Sequence, residues 1–146
     1  AGDVVIPSPN DGTALSIIWT APAAGTITSL TASVWYAHSS VTRSNDVSLS
    51  LAAAVLGSWT VSNASNPNRN NPGSFAGGPF SVNAGDLLTL SFMKTVGQSV
   101  GSLSGVQESF DFTPVSAVPV PAALPLFVTC LAGLGWFGHR RRKQAA

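Results

Sequence analysis

The sequence predicts an all-β fold: a single antiparallel β-sandwich, jelly-roll-like, over residues 1–113, followed by a C-terminal transmembrane helix. Three observations carry this prediction. Apolar residues in the first 113 positions recur with period two wherever a period is clear, which is the spacing of half-buried strands. Clusters of Gly, Pro and Asn (PSPNDG, APAAG, SNASNPNRNNPG, AGGP and NAGD) break the chain at short intervals. The last 29 residues, VPVPAALPLFVTCLAGLGWFGHRRRKQAA, then change from prolines to an uncharged apolar block to a run of bases.

In chain order, ALSIIWT at 14–20 and TITSLTASVWYAH at 26–38 read as strands. In VSLSL, Val47, Leu49 and Leu51 share one face while Ser48 and Ser50 take the other. This alternation runs into LAAAVL at 51–56, so that segment is read as a continuing or bulged strand rather than a helical turn. GSWTVS at 57–62 follows as a strand. The stretch SNASNPNRNNPGSFAGG at 62–78 is the longest without a period, and its Asn and Pro content predicts an exposed loop. PFSV, the tight turn Asn83-Ala84-Gly85-Asp86 and LLTLSFM come next, with Leu88, Leu90 and Phe92 inward and Thr89 and Ser91 outward. FDF places Phe110 and Phe112 on one side and Asp111 on the other. Prolines then make residues 114–121 a linker, leaving 122–138 as the helix and 139–146 as a basic tail.

Charged residues form only 9% of the chain, a composition suited to an extracellular setting. The net charge of +1 hides an asymmetry. Arg140, Arg141, Arg142 and Lys143 supply four of the seven bases. Arg43, Arg69 and Lys94 alone face Asp3, Asp11, Asp46, Asp86, Glu108 and Asp111, so the body is acidic. A nucleic-acid binder needs a basic stripe on its folded part, and that class is excluded. Cys130 stands alone inside the apolar block, so neither an intrachain disulfide nor a Cys-based metal site can form, and it reads as a small apolar filler.

Chemistry is sparse. The triplet Ser39, His38 and Asp46 has the residue types of a nucleophilic site, but serine is abundant enough to give such a triplet by chance. No GxSxG, HExxH or P-loop occurs. The chain is therefore read as a non-enzyme with no cofactor. Asp11, Asp86 and Asp111 are weak candidates for a structural Ca²⁺, against the simpler reading of solvated surface carboxylates. Trp19, Trp35, Tyr36 and Trp59 offer either a sugar-stacking platform or ordinary core packing; adjacent Trp35 and Tyr36 point to opposite faces of a strand. Asn63-Ala64-Ser65 matches a glycosylation sequon.

Residues 122–138 are seventeen positions without charge, enough for about 25 Å of helix, the short limit of a membrane span. Arg140, Arg141, Arg142 and Lys143 would stop transfer and stay in the cytoplasm, leaving the body outside. A buried domain helix is the rival, and four consecutive bases beside it argue against that. The chain opens AGDVV, and a signal peptide is expected to have been removed near Ala1.

Val118-Pro119-Val120-Pro121-Ala122, followed by the apolar segment and the Arg cluster, resembles the PEP-CTERM sorting signal of Gram-negative bacteria, with Val120 where the family name puts Glu. The resemblance implies that the helix is a sorting helix and temporary anchor. It also implies that an exosortase-type membrane peptidase cuts near the motif, and that the exported protein accompanies exopolysaccharide. The expected role is structural or adhesive, at the surface or in the extracellular matrix. The alternatives are an exopolysaccharide-binding module and a subunit that self-assembles into a surface layer or filament.

Overall fold

Alternating apolar residues need a second apolar surface to cover them, and the chain supplies one as two facing sheets. The computed structural model describes residues 4–38 and 42–116. In chain order its strands are β1 (Val4–Pro7), β2 (Leu15–Thr20), β3 (Gly25–Tyr36), β4 (Ser44–Leu51), β5 (Ala54–Ser62), β6 (Gly73–Gly77), β7 (Phe80–Val82), β8 (Leu87–Lys94) and β9 (Leu103–Pro114). The first sheet has the order β1-β9-β3-β6, with β7 also on β3, and the second has the order β2-β8-β4-β5. Every pairing is antiparallel. The predicted all-β fold is thus what the structure shows: antiparallel sheets, consistent with a β-sandwich, and no helix among the described residues.

The core is where the two period-two patterns meet. Val47, Leu49 and Leu51 of β4 and Leu88, Leu90 and Phe92 of β8 are buried from one side. Ile27, Leu30, Ala32, Val34 and Tyr36 of β3 and Val106 of β9 are buried from the other, in the same cluster. Each fully buried Val, Leu, Ile or Phe contributes about 1.5–3 kcal/mol. Residues Ala1–Val115 form one compact unit.

β3 does not alternate strictly. Ile27 and Leu30 are both inward although three positions apart, because Ser29 and Leu30 together oppose the single residue Phe110 in a β-bulge between Thr28 and Thr31. Ser29 takes the left-handed conformation, with φ 53°, that a bulge of this kind ordinarily gives to Gly.

Three sequence expectations are corrected. The predicted loop at 62–78 contains β6, because pairing with Leu30 to Val34 on β3 satisfies its backbone and Phe75 packs against the core. The LAAAVL segment does not continue as one strand: Leu51 pairs with Ala54, and the chain reverses through Ala52 and Ala53, Ala52 having φ 52°. The expected bulge does occur, one step further on, where Leu56 has no partner between the pairs Leu49–Gly57 and Ser50–Val55. Finally, β9 starts seven residues before FDF, and β1 was not foreseen.

Ser29 and Ala52 each hold a backbone geometry that costs an L-residue about 1–2 kcal/mol. Ser29→Gly and Ala52→Gly should each raise stability by about 0.5–1 kcal/mol in urea denaturation, the gain being trimmed by glycine's freer unfolded chain. Destabilisation by either would refute the strain assignment.

Candidate functional site

The four candidate aromatics are spent on packing. Trp19 points inward from β2 and meets Phe110 and Phe112 edge-on, at centroid distances of 5.0 and 5.3 Å. Trp59 closes the opposite flank from β5: a Cβ on Gly73 would fall 2.5 Å from its ring, so only Gly allows that approach. Trp35 lies on the outer face of β3, yet is only 9% exposed. Gly105 of β9 sits beneath it, where a Cβ would come within 2.3 Å of the ring, and the Arg69 guanidinium lies 5.9 Å from its centroid. Tyr36 is buried. These residues occupy two flanks, the core and one outer face, so they form no coplanar row for a sugar to stack on.

The carboxylates are dispersed as well. Asp11 accepts hydrogen bonds from the Thr13 hydroxyl (2.7 Å) and amide (2.9 Å), which hold its pKa below the usual carboxylate value. Asp86 accepts from the Asn83 amide at 2.7 Å and closes the predicted turn. Asp111 stands exposed on β9 opposite Thr28. Among the described residues no group of three His, Cys, Asp or Glu side chains could hold a metal.

His38 Nδ1 is buried without a partner, while Asp46 accepts from the hydroxyls of Thr60 (2.7 Å) and Thr95 (3.0 Å). Ser39 lies outside the described residues.

Two arrangements escaped the sequence reading. One is a buried polar cluster joining the sheets. Asn45 on β4 receives a hydrogen bond from the Ser8 hydroxyl and donates to Ser104 Oγ (2.8 Å) and the Ser102 carbonyl (3.3 Å). Beside it an open cleft of about 270 Å³ is lined by Asn10, His38, Arg43 and Ser102, among others. The other lies on the outer face of the second sheet. Ser16, Ser91, Ser48 and Ser58 stand opposite one another across β2, β8, β4 and β5, forming a single serine row over the whole sheet. An open groove of about 310 Å³ lies over Ser91, Ser48 and Ser58 of this row, walled by Asp46, Met93 and Ala14. Hydroxyls donate and accept, Asp46 accepts and Met93 offers an apolar contact, a set suited to an uncharged hydroxylated ligand. The outward serines were legible, but their cross-strand register was not.

Glu108 is half-buried on β9 opposite buried Ala32, and that burial raises its pKa. The folded state therefore holds this proton more tightly than the unfolded chain, so stability falls as pH rises from the unfolded towards the folded pKa and stays lower above it. Glu108→Gln should be more stable than the parent at pH 7 and equal to it near pH 3. A constant difference at both pH values would remove the titration argument.

The sorting motif (Val118, Pro119, Val120, Pro121, Ala122), the stop-transfer bases (Arg140, Arg141, Arg142, Lys143), Cys130 and the expected span at 122–138 lie outside the described residues. Among the described residues no helix is long and apolar enough to cross a membrane. No protein-family model, curated protein or solved structure matches the chain.

Proposed function

We propose that this is an exported surface or extracellular-matrix protein of a Gram-negative bacterium. Its β-rich body is the cargo, and residues 118–143 form a PEP-CTERM-like signal read by an exosortase-type peptidase. The observation that carries this reading is the order of the tail: a Pro-spaced motif, seventeen uncharged residues, then Arg140, Arg141, Arg142 and Lys143. The compact unit that ends at Val115, three residues before the motif, supports it. In finer detail the body is a jelly roll. With the three-residue β7 set aside, eight strands form two four-stranded sheets in the orders β1-β9-β3-β6 and β2-β8-β4-β5, the chain changing sheet at every connection except the β4–β5 hairpin, which supports that architecture.

The role is structural or adhesive, and the membrane is a transient partner. A second reading, contact with exopolysaccharide, is favoured by the serine row and its groove rather than by the aromatics.

Topology tests the primary reading. In cells lacking any sorting peptidase, protease added to spheroplasts should digest the body and spare a tag fused after Ala146. Digestion of the tag with the body intact would sink it.

A further inference from the structure

Natural sheets guard their unpaired edges with charged side chains, Pro or bulges, because an exposed ladder of N–H and C=O groups pairs with whatever strand it meets. Here the charge is placed the other way round. The edge strands β1 (VVIP), β2 (LSIIWT), β5 (AVLGSWTVS) and β6 (GSFAG) carry no charged residue. The strand-borne charges, Asp46, Lys94, Glu108 and Asp111, lie on the interior strands β4, β8 and β9. Of the nine large hydrophobics exposed among the described residues, five lie on edge strands: Val4 and Val5 on β1, Leu15 and Ile18 on β2, and Val55 on β5.

The strand orders make these edges mutually compatible. Trp19 packs on Phe110 and Phe112, which puts β2 on the β1–β9 flank; Trp59 against Gly73 and Phe75 against Gly57 put β5 beside β6 on the other. Each sheet path has four antiparallel strands, so its two edges run in opposite directions. A second copy displaced sideways therefore brings an oppositely directed β2 to β5 and an oppositely directed β1 to β6. Both new pairs are antiparallel, and both sheets continue.

We propose that the body assembles head to tail with further copies of this chain, β5 and β6 of one pairing with β2 and β1 of the next. The contact is heterologous, so repetition yields an open filament rather than a closed ring or dimer. Side-chain alternation narrows the register, because inward residues must face inward residues. Two registers that obey this give five pairs each beyond the Leu56 bulge. One sets Gly57, Trp59 and Val61 against Trp19, Ile17 and Leu15 of the next copy, with Ser58 opposite Ile18 on the outer face. The other sets Trp59 and Val61 against Trp19 and Ile17, with Thr60 opposite Ile18. The proposal goes beyond the sorting reading and does not depend on removal of the tail.

The test uses the full chain in detergent, with Cys130→Ser as background. Ile18→Cys combined with Ser58→Cys or with Thr60→Cys, one pair for each register, should give a ladder of disulfide-linked oligomers under mild oxidation in one of the two. Within one chain the two positions of either pair are at least three strand spacings apart, about 14 Å, too far for a disulfide. Each single cysteine variant should remain monomeric on the same gel. A dimer from any single variant would mean like-with-like pairing and overturn the head-to-tail arrangement; no ladder from either double variant would overturn the contact itself. In sedimentation, Ile18→Lys with the lysine substitution of whichever partner cross-links, Ser58→Lys or Thr60→Lys, should reduce the oligomers to single chains, and Ile18→Asp with that same partner substitution should restore them, with unchanged far-UV circular dichroism in both. Oligomers that persist in the double-lysine variant would also overturn the proposal. Micelle association through the tail is common to all variants, so failure here leaves the sorting reading standing.

Discussion

Asn45→Ala is expected to lower the unfolding free energy by about 3 kcal/mol, the sum of a lost side chain and the partners it strands. Asn45 is 1% exposed, and Ser104 has no exposed surface, so water cannot replace the missing amide. The hydroxyls of Ser8 and Ser104 lose a partner at the same moment, in an interior where an unmade hydrogen bond costs about 1–3 kcal/mol. Ser8 Oγ keeps the Ser102 amide at 2.9 Å, which limits the damage on that side. Asn45→Leu fills the volume but leaves the same hydroxyls unpaired, and should recover little. Adding Ser104→Ala to Asn45→Leu should recover part of the loss, since it removes one stranded hydroxyl, while Ser8 is kept as the acceptor of the Ser102 amide. Urea denaturation followed by tryptophan fluorescence reads all three. A loss under 1 kcal/mol for Asn45→Ala would show that the cluster is not a joint between the sheets.

Replacing Pro119 and Pro121 with Ala should leave membrane insertion intact and stop release, moving the whole population from the exterior to the membrane fraction. On the proposed sorting reading, prolines at these positions would fix φ, push the preceding residues towards extended geometry and leave the segment without internal hydrogen bonds near the bilayer surface. A peptidase needs an extended backbone, and a helix running on through 118–121 would hide its peptide bonds. Mass spectrometry of the parent protein collected outside its native cells decides the premise. If it still carries the end HRRRKQAA, the chain is a permanently anchored surface protein and the sorting reading falls.

The legible parts of the fold were those where one strand carries its own pattern. Leu88, Leu90 and Phe92 announce a half-buried strand without reference to any neighbour. β6 does not, because GSFAG becomes a strand only through its pairing with β3, and its glycines are there for Trp59 and Phe75 to approach. The front half of β9 hides for the same reason, with Gly105 shaped by the Trp35 ring above it. Asn45, between Ser44 and Asp46, looks like surface until β9 is laid across it. The serine row is invisible for a further reason: it is a property of register among four strands distant in sequence. For the aromatics, the size of the core favours packing over a stacking platform, and only the structure shows which ring each one meets.

The bulge at Ser29 and Leu30 makes β3 sensitive to reading frame in a way an ordinary strand end is not. It is the point at which the inward set passes from odd to even positions, so the bulge keeps two half-strands in phase. Deleting Ser29 would not merely shorten the strand. With its Gly25 end held by β7 and β9, every residue from Leu30 to Tyr36 would exchange faces, presenting Trp35 to the core and Leu30, Val34 and Tyr36 to water. A single-residue deletion there is as disruptive as replacing half the core. The same deletion in the 63–71 connection would disturb the Asn66 carbonyl that accepts from the Tyr36 amide and the Arg69 contact with Trp35, but no strand phase is kept there and no residue would exchange faces.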